Sequence, residues 1–261
     1  IFSRPVKAAA NGVILKANRT YAAYDVTGDG MKDKIRIRAS NQTDDEAYSS
    51  LTVSVNGKTA YRLKNTRFYN VIANIYTLKN GQPFLYLYAP ADDGDGPVCA
   101  LLKYTNGKFR KALDFTEIMA GYGNHRIGEV TNLNGNKIVI TESIVSYSLG
   151  INAINFTYKY VNGKFVPTSR YGSYKEIYST DGSSRYFTVN SDLPAYARPG
   201  ATAVNTTLKA GSLTKIIKCA LISGKMYIQL ECDGEIYWIK ALENPPIADN
   251  ERQFMEVRYA G

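Results

Sequence analysis

Apolar and polar residues alternate through most of the chain with a period of two, and this predicts strands rather than helices. The alternation is punctuated at regular places. Asn-Gly-Lys occurs three times, at Asn56-Gly57-Lys58, Asn106-Gly107-Lys108 and Asn162-Gly163-Lys164. Each copy lies between two strand-like runs, the signature of a tight hairpin in which Gly supplies a positive φ. Upstream of each lies a second Gly-centred turn: Asp29-Gly30, Asn80-Gly81 and Asn134-Gly135. The paired glycines are 27, 26 and 28 residues apart, which marks an internal repeat.

Each repeat has one plan. A strand enters the first turn and a second leaves it, over 34–38, 84–88 and 137–141. A variable loop follows. A third strand (51–55, 98–104, 153–161) leads into Asn-Gly-Lys, and a fourth returns (59–63, 109–113, 165–168). Four antiparallel strands in about 50 residues is the size of one β-propeller blade. Helix is nearly absent from the pattern; a turn near 115–119 is the best place for one.

The stretch Tyr24-Asp25-Val26-Thr27-Gly28-Asp29-Gly30-Met31-Lys32-Asp33, running into Lys34-Ile35-Arg36-Ile37, resembles the FG-GAP/VCBS family of propeller repeats. The resemblance spans roughly residues 12–170 and is degenerate in the second and third repeats. It implies a β-propeller-like domain over residues 1–178. Propellers have four to eight blades, so three repeats leave several arrangements open. These are an open array, a three-bladed pinwheel, half of a dimeric ring, or a fold other than a propeller.

Residues 171–185 are rich in Gly, Ser and Thr and read as a crossover, with the linker proper at 179–185 and room for strands near 175–178. The remainder, 186–261, has a different texture: short strands with turns at Ser223-Gly224 and Asp233-Gly234, the pattern of a small barrel. Its Leu193 to Gly200 segment, its Leu208 and Gly211, and its Gly234 with Tyr237-Trp238-Ile239 are similar to bacterial Src-homology-3-like domains. Ala197-Arg198-Pro199-Gly200 stands where that family carries Arg-Ser-Gly-Pro. The resemblance implies a domain that contacts cell-wall peptidoglycan, with Tyr196, Arg198, Tyr227, Tyr237 and Trp238 as the candidate ligand-binding residues. Trp238 reads as core before contact. The fold class is therefore all-β: three four-stranded blade-like repeats, then a small Src-homology-3-like barrel.

Charge sharpens this picture. The chain of 261 residues carries 32 Lys+Arg against 23 Asp+Glu, a net +9. Residues 1–185 hold 24 basic and 15 acidic side chains, while 186–261 hold 8 of each. Lys32, Lys34, Arg36 and Arg38 sit at every second position, so a strand there presents one basic face. Such a stripe suits an anionic polymer, or serves as a solvated face that discourages edge pairing. No apolar run approaches the roughly 20 residues of a membrane span.

The chemistry is concentrated in Asp25-x-Thr27-x-Asp29-x-Met31-x-Asp33. Oxygen donors at positions 1, 3, 5 and 9, with a backbone carbonyl near 7 at Met31, follow a hard-cation loop. Calcium in a structural role is the expected cofactor. Thr27 replaces a carboxylate, and Arg36 stands where a bidentate Glu belongs, so a metal-free Asp/Gly turn remains the alternative. A second acidic stretch, Asp92-Asp93-Gly94-Asp95-Gly96, reads as a solvated loop. The lone histidine, His125, has no catalytic spacing around it, even with Cys99 or Glu129 considered, and no catalytic residue is assigned. Cys219 and Cys232 are a conceivable pair; buried free thiols fit three sparse cysteines better.

These readings predict a non-catalytic exported bacterial binding or adhesion protein, extracellular or associated with the cell envelope. Its targeting segment is expected outside this chain, which opens at Ile1-Phe2. The expected partner is cell-wall or extracellular glycan, with another exported protein as a further partner and nucleic acid excluded. The alternative is a secreted glycan- or peptide-hydrolase that uses the barrel for cell-wall targeting.

Overall fold

A computed structural model describes residues 13–40, 42, 46–92 and 95–259. Residues 93 and 94 of the second acidic stretch lie outside it. The fold is all-β, with no α-helix among the described residues. The turn expected near 115–119 is a short 3-10 helix, Phe115–Glu117.

The repeats build antiparallel meanders. The first is β2 (Thr20–Tyr24), β3 (Asp33–Ser40), β4 (Tyr48–Val55) and β5 (Lys58–Phe68), paired in sequence order. The second is β6 (Ile72–Thr77), β7 (Pro83–Ala89), β8 (Val98–Thr105) and β9 (Lys108–Asp114), with β1 (Val13–Leu15) added against β6. All three Asn-Gly-Lys turns have positive φ at Asn and Gly: 50° and 79°, 51° and 78°, 48° and 87°. Two left-handed residues give a turn whose twist matches the flanking strands, which is why Asn-Gly recurs there.

The third repeat departs from the plan. β10 (Gly123–Asn134), β11 (Lys137–Ser146), β12 (Gly150–Val161) and β13 (Lys164–Pro167) form its meander. The sheet does not stop there. β14 (Tyr171–Ser179) pairs with β12 and also with β19 (Leu213–Ile222), which continues to β20 (Lys225–Cys232) and β21 (Glu235–Lys240). β15 (Gly182–Ser183) and β16 (Tyr186–Thr188) pair at its flanks, and β17 (Leu193–Ala195) with β18 (Thr206–Leu208) form a separate hairpin. Within the 171–185 stretch, residues 171–179 and 182–183 are therefore strand. Gly172 is there for space: a Cβ at this position would stand 2.4 Å from Phe156 Cε1 and 2.7 Å from Ile154 Cγ2.

Contacts divide the described chain into two compact units. One comprises residues 1–116, 130–139 and 158–166; the other comprises 117–129, 140–157 and 167–261. The division runs through β10, β11 and β12.

In the first unit, β7 is buried on both faces. Leu85 and Leu87 join Ile35, Ile37, Leu51 and Val53 in one apolar core. On the opposite side, Phe84 packs against Tyr160 (4.8 Å between centroids) and Phe165 (4.9 Å). Tyr86 meets Tyr76 and Phe115 edge to face at 6.3 and 5.8 Å. Tyr86 and Tyr88 are thus core residues.

Candidate functional site

Two places carry chemistry: the 25–33 loop in the first unit, and the outward face of β14–β19–β20–β21 in the second.

In the loop, the carboxylates turn toward the backbone. Asp33 is buried, and its Oδ2 accepts from the N–H groups of Val26 (2.7 Å) and Thr27 (2.9 Å). Its Oδ1 accepts from Asn56 Nδ2 at 2.6 Å, which ties the loop to the first Asn-Gly turn. Asp25 Oδ1 accepts from Gly28 N (2.6 Å) and Asp29 N (3.2 Å), and its Oδ2 from Gly30 N (2.8 Å). Asp29 Oδ1 accepts from Met31 N at 2.8 Å. Slight desolvation raises the Asp25 carboxyl, but the N–H groups of Gly28 and Gly30, with Thr27 and Asp29, outweigh it and hold the group below its ordinary value. Gly28 and Gly30 adopt φ of 81° and 85°, the conformation that aims successive N–H groups at one carboxylate.

The hydrogen bonds are those of an Asp/Gly turn, with oxygens of Asp25, Asp29 and Asp33 accepting from backbone N–H groups, and the Met31 side chain is exposed. Among the described residues, no group of three or more His, Cys, Asp and Glu is placed to hold a metal. Beside the loop lies a hollow of about 430 Å³ bordered by Tyr24, Asp25, Gly28, Asn80, Gln82 and Lys103. Burial lowers the Lys103 amine, and the Asp25 charge offsets part of that shift. The Lys103 amine sits 5.4 Å from the Phe84 ring centre.

The second place is built by register. Tyr171, Ala220, Tyr227 and Lys240 form one cross-strand row, and Ser173, Lys218, Gln229 and Trp238 the next. A third row is Tyr186, Lys215, Glu231 and Ile236. Alternation sends Ile216, Cys219, Ile228, Leu230 and Ile239 to the other, buried side. Tyr171 is 41% exposed and lies over Trp238, centroids 5.9 Å apart at 35°. The Lys218 amine stands 4.6 Å from the Tyr171 centroid and 6.0 Å from that of Trp238. Lys240 covers Tyr196 at 5.1 Å and Lys215 covers Tyr186 at 5.8 Å. Such amine–ring contacts contribute about 0.5–1 kcal/mol each at exposed sites.

The five candidate ligand residues fall into different roles. Tyr196, Tyr227 and Trp238 are buried together with Ala220, and Ala201 and Ile222 pack against them. Tyr196 and Trp238 exchange backbone hydrogen bonds of 2.7 and 2.9 Å. Arg198 is exposed in the loop beyond, and Tyr237 is half-buried on the opposite side of β21. The exposed groups of this face are Tyr171, Tyr186 and Ile236, with Lys215 and Lys240. From the sequence, Tyr171 is one of several spaced tyrosines suited to a ligand platform, and Lys218 carries no signal. The signal was the alternation Tyr171/Ser173 against Gly172/Tyr174, hidden by a composition that reads as linker.

All three cysteines are buried free thiols, and burial pushes Cys219 up to about 12. No protein-family model, no curated protein and no solved structure matches the chain.

Proposed function

We propose that this protein is a non-catalytic binding protein that recognises cell-wall or extracellular glycan at the bacterial envelope. The observation that carries the reading is the Tyr171–Trp238–Lys218 group. A flat ring supported from beneath and flanked by an amine suits the apolar face of a sugar whose rim bears hydroxyls or acid groups. Trp238 forms the buried support, Tyr171 the contact surface and Lys218 the polar anchor. Tyr186 and Lys215 repeat the pairing one step along the face.

The finer architecture belongs to this proposal. Three successive meanders joined by Gly turns support a blade-like reading of the repeats. The β19–β20–β21 meander, with an isolated backbone bridge from Tyr196 to Trp238 of β21, supports the Src-homology-3-like reading. The exported setting rests on those resemblances. Co-sedimentation with purified bacterial cell wall tests the function: retention that falls at least about tenfold in Tyr171→Ala is expected, since stacking contributes about 1–3 kcal/mol. No retention of the unaltered protein would reject it.

A further inference from the structure

We infer that the outward face of the first sheet binds a linear polyol-phosphate chain, a phosphodiester polymer without bases. The inference rests on the proposed function for its envelope setting and names the anionic component that the first unit would contact.

The face is a lattice of cations and hydroxyls. Asp33, Ile35, Ile37 and Ala39 of β3 are buried, so Lys34, Arg36 and Arg38 project the other way and are exposed. Register then places Arg36 beside Ser54 and Thr59, Arg38 beside Thr52 and Arg62, and Ser40 beside Ser50 and Lys64. Arg62 and Lys64 of β5 are exposed as well. Cations therefore flank a central strand of Ser and Thr, repeating at about 6.8 Å along each strand, with neighbouring strands about 4.8 Å apart. None of these positions carries Asp or Glu. Among the described residues, no carboxylate lies within ion-pair distance of these five cations.

The lattice continues at its margin. Arg62, Lys108 and Arg110 border a hollow of about 260 Å³, and the Lys108 amine bonds the Thr59 carbonyl at 2.9 Å. The first unit as a whole holds 20 basic and 10 acidic residues, against 12 and 13 in the second. The excess charge therefore belongs to the unit that carries this face.

The side chains select the class of anion. Arg offers paired N–H donors matched to phosphate oxygens, and the Thr52 hydroxyl stands between Arg38 and Arg62; Ser54 donates to the Arg36 carbonyl, and Ser40 and Ser50 bond each other. Single-stranded nucleic acid is held by cations together with aromatic rings that stack on bases. Among the described residues, the outward row of β3, β4 and β5 holds Lys, Arg, Ser and Thr without a ring, and Tyr21 and Tyr61 lie opposite Ile35 and Val53 on the inner side. A phosphate at every repeat of a flexible chain meets the lattice, whose described outward row offers a base or sugar ring no aromatic partner; Tyr61 and Phe109 line only the hollow at its margin.

The test is binding of synthetic poly(glycerol phosphate) to the full chain, with oligo-dT and polygalacturonate of equal charge as competitors. The combined variant Arg36→Gln, Arg38→Gln, Arg62→Gln is expected to lose affinity at least about tenfold and to lower the salt dependence of log K by about one per cation removed. Lys159→Gln, Lys175→Gln, Lys225→Gln removes the same charge from exposed positions elsewhere and is expected to change affinity less than about threefold. Thr52→Glu, which places a carboxylate between Arg38 and Arg62 without removing a cation, is expected to weaken binding independently. Absence of binding by the unaltered protein, equal loss in the control variant, or oligo-dT or polygalacturonate binding as tightly would overturn the inference. The probe carries no sugar ring, so Tyr171→Ala is expected to leave its binding unchanged, which separates this result from the glycan reading.

Discussion

At the residue scale, the 25–33 loop shows a single buried carboxylate organising a turn. Asp33 accepts two backbone N–H groups and the Asn56 amide, so Asp33→Ala leaves buried donors unpaired. A loss of about 2 kcal/mol or more is expected in urea unfolding. Asp25 is exposed and acts through pH. Its folded pKa is depressed below 3.8, so its contribution is present above that value and fades as pH falls through the lower, folded one. Asp25→Asn is expected to flatten the acid limb of the stability curve between about pH 5 and pH 2, read by thermal unfolding. Because the loop is closed by its own backbone, added calcium is expected to leave the unfolding midpoint where EDTA leaves it. A calcium-dependent rise would contradict this account of the loop. Cys219, with its thiol pushed up to about 12, is expected to resist aromatic disulfide reagents at neutral pH until the protein unfolds.

At the scale of elements, turns carried the most legible information. The three Asn-Gly-Lys turns, Ser223-Gly224 and Asp233-Gly234 take positive φ at both central positions, while at Asp29-Gly30, Asn80-Gly81 and Asn134-Gly135 only the glycine does. Few other residue pairs tolerate that geometry, so local chemistry alone sets the meanders. β14 shows the opposite case. Gly172, Ser173 and Ser179 look like linker residues, yet the strand pairs on both sides, and Gly172 answers to the Phe156 ring packed against it. The requirement comes from a residue 16 positions away in the chain, which no local pattern carries. Gly172→Ala is accordingly expected to cost about 1–3 kcal/mol by overpacking. In β7, buried on both faces, Leu85→Ala is expected to cost about 2–5 kcal/mol. Thermal or urea unfolding checks both.

At the scale of the whole molecule, the repeat and the all-β class were readable from spacing, while the division of the chain was not. Strands β10, β11 and β12 contribute to both compact units, so no composition shift marks the boundary. The candidate ligand residues were legible in kind and misplaced in role. Aromatic residues near Trp238 do form a group, but long-range pairing of β14 with β19 decides that Tyr171 and Lys218 are its outward members while Tyr196, Tyr227 and Trp238 support them. The measurement that tests the central claim most directly is co-sedimentation of the unaltered protein and of the Tyr171→Ala, Lys218→Ala double variant with purified bacterial cell wall. Saturable binding by the first, with affinity at least about tenfold weaker in the second at unchanged thermal stability, is the predicted result. Equal binding by both, or binding by neither, would contradict it.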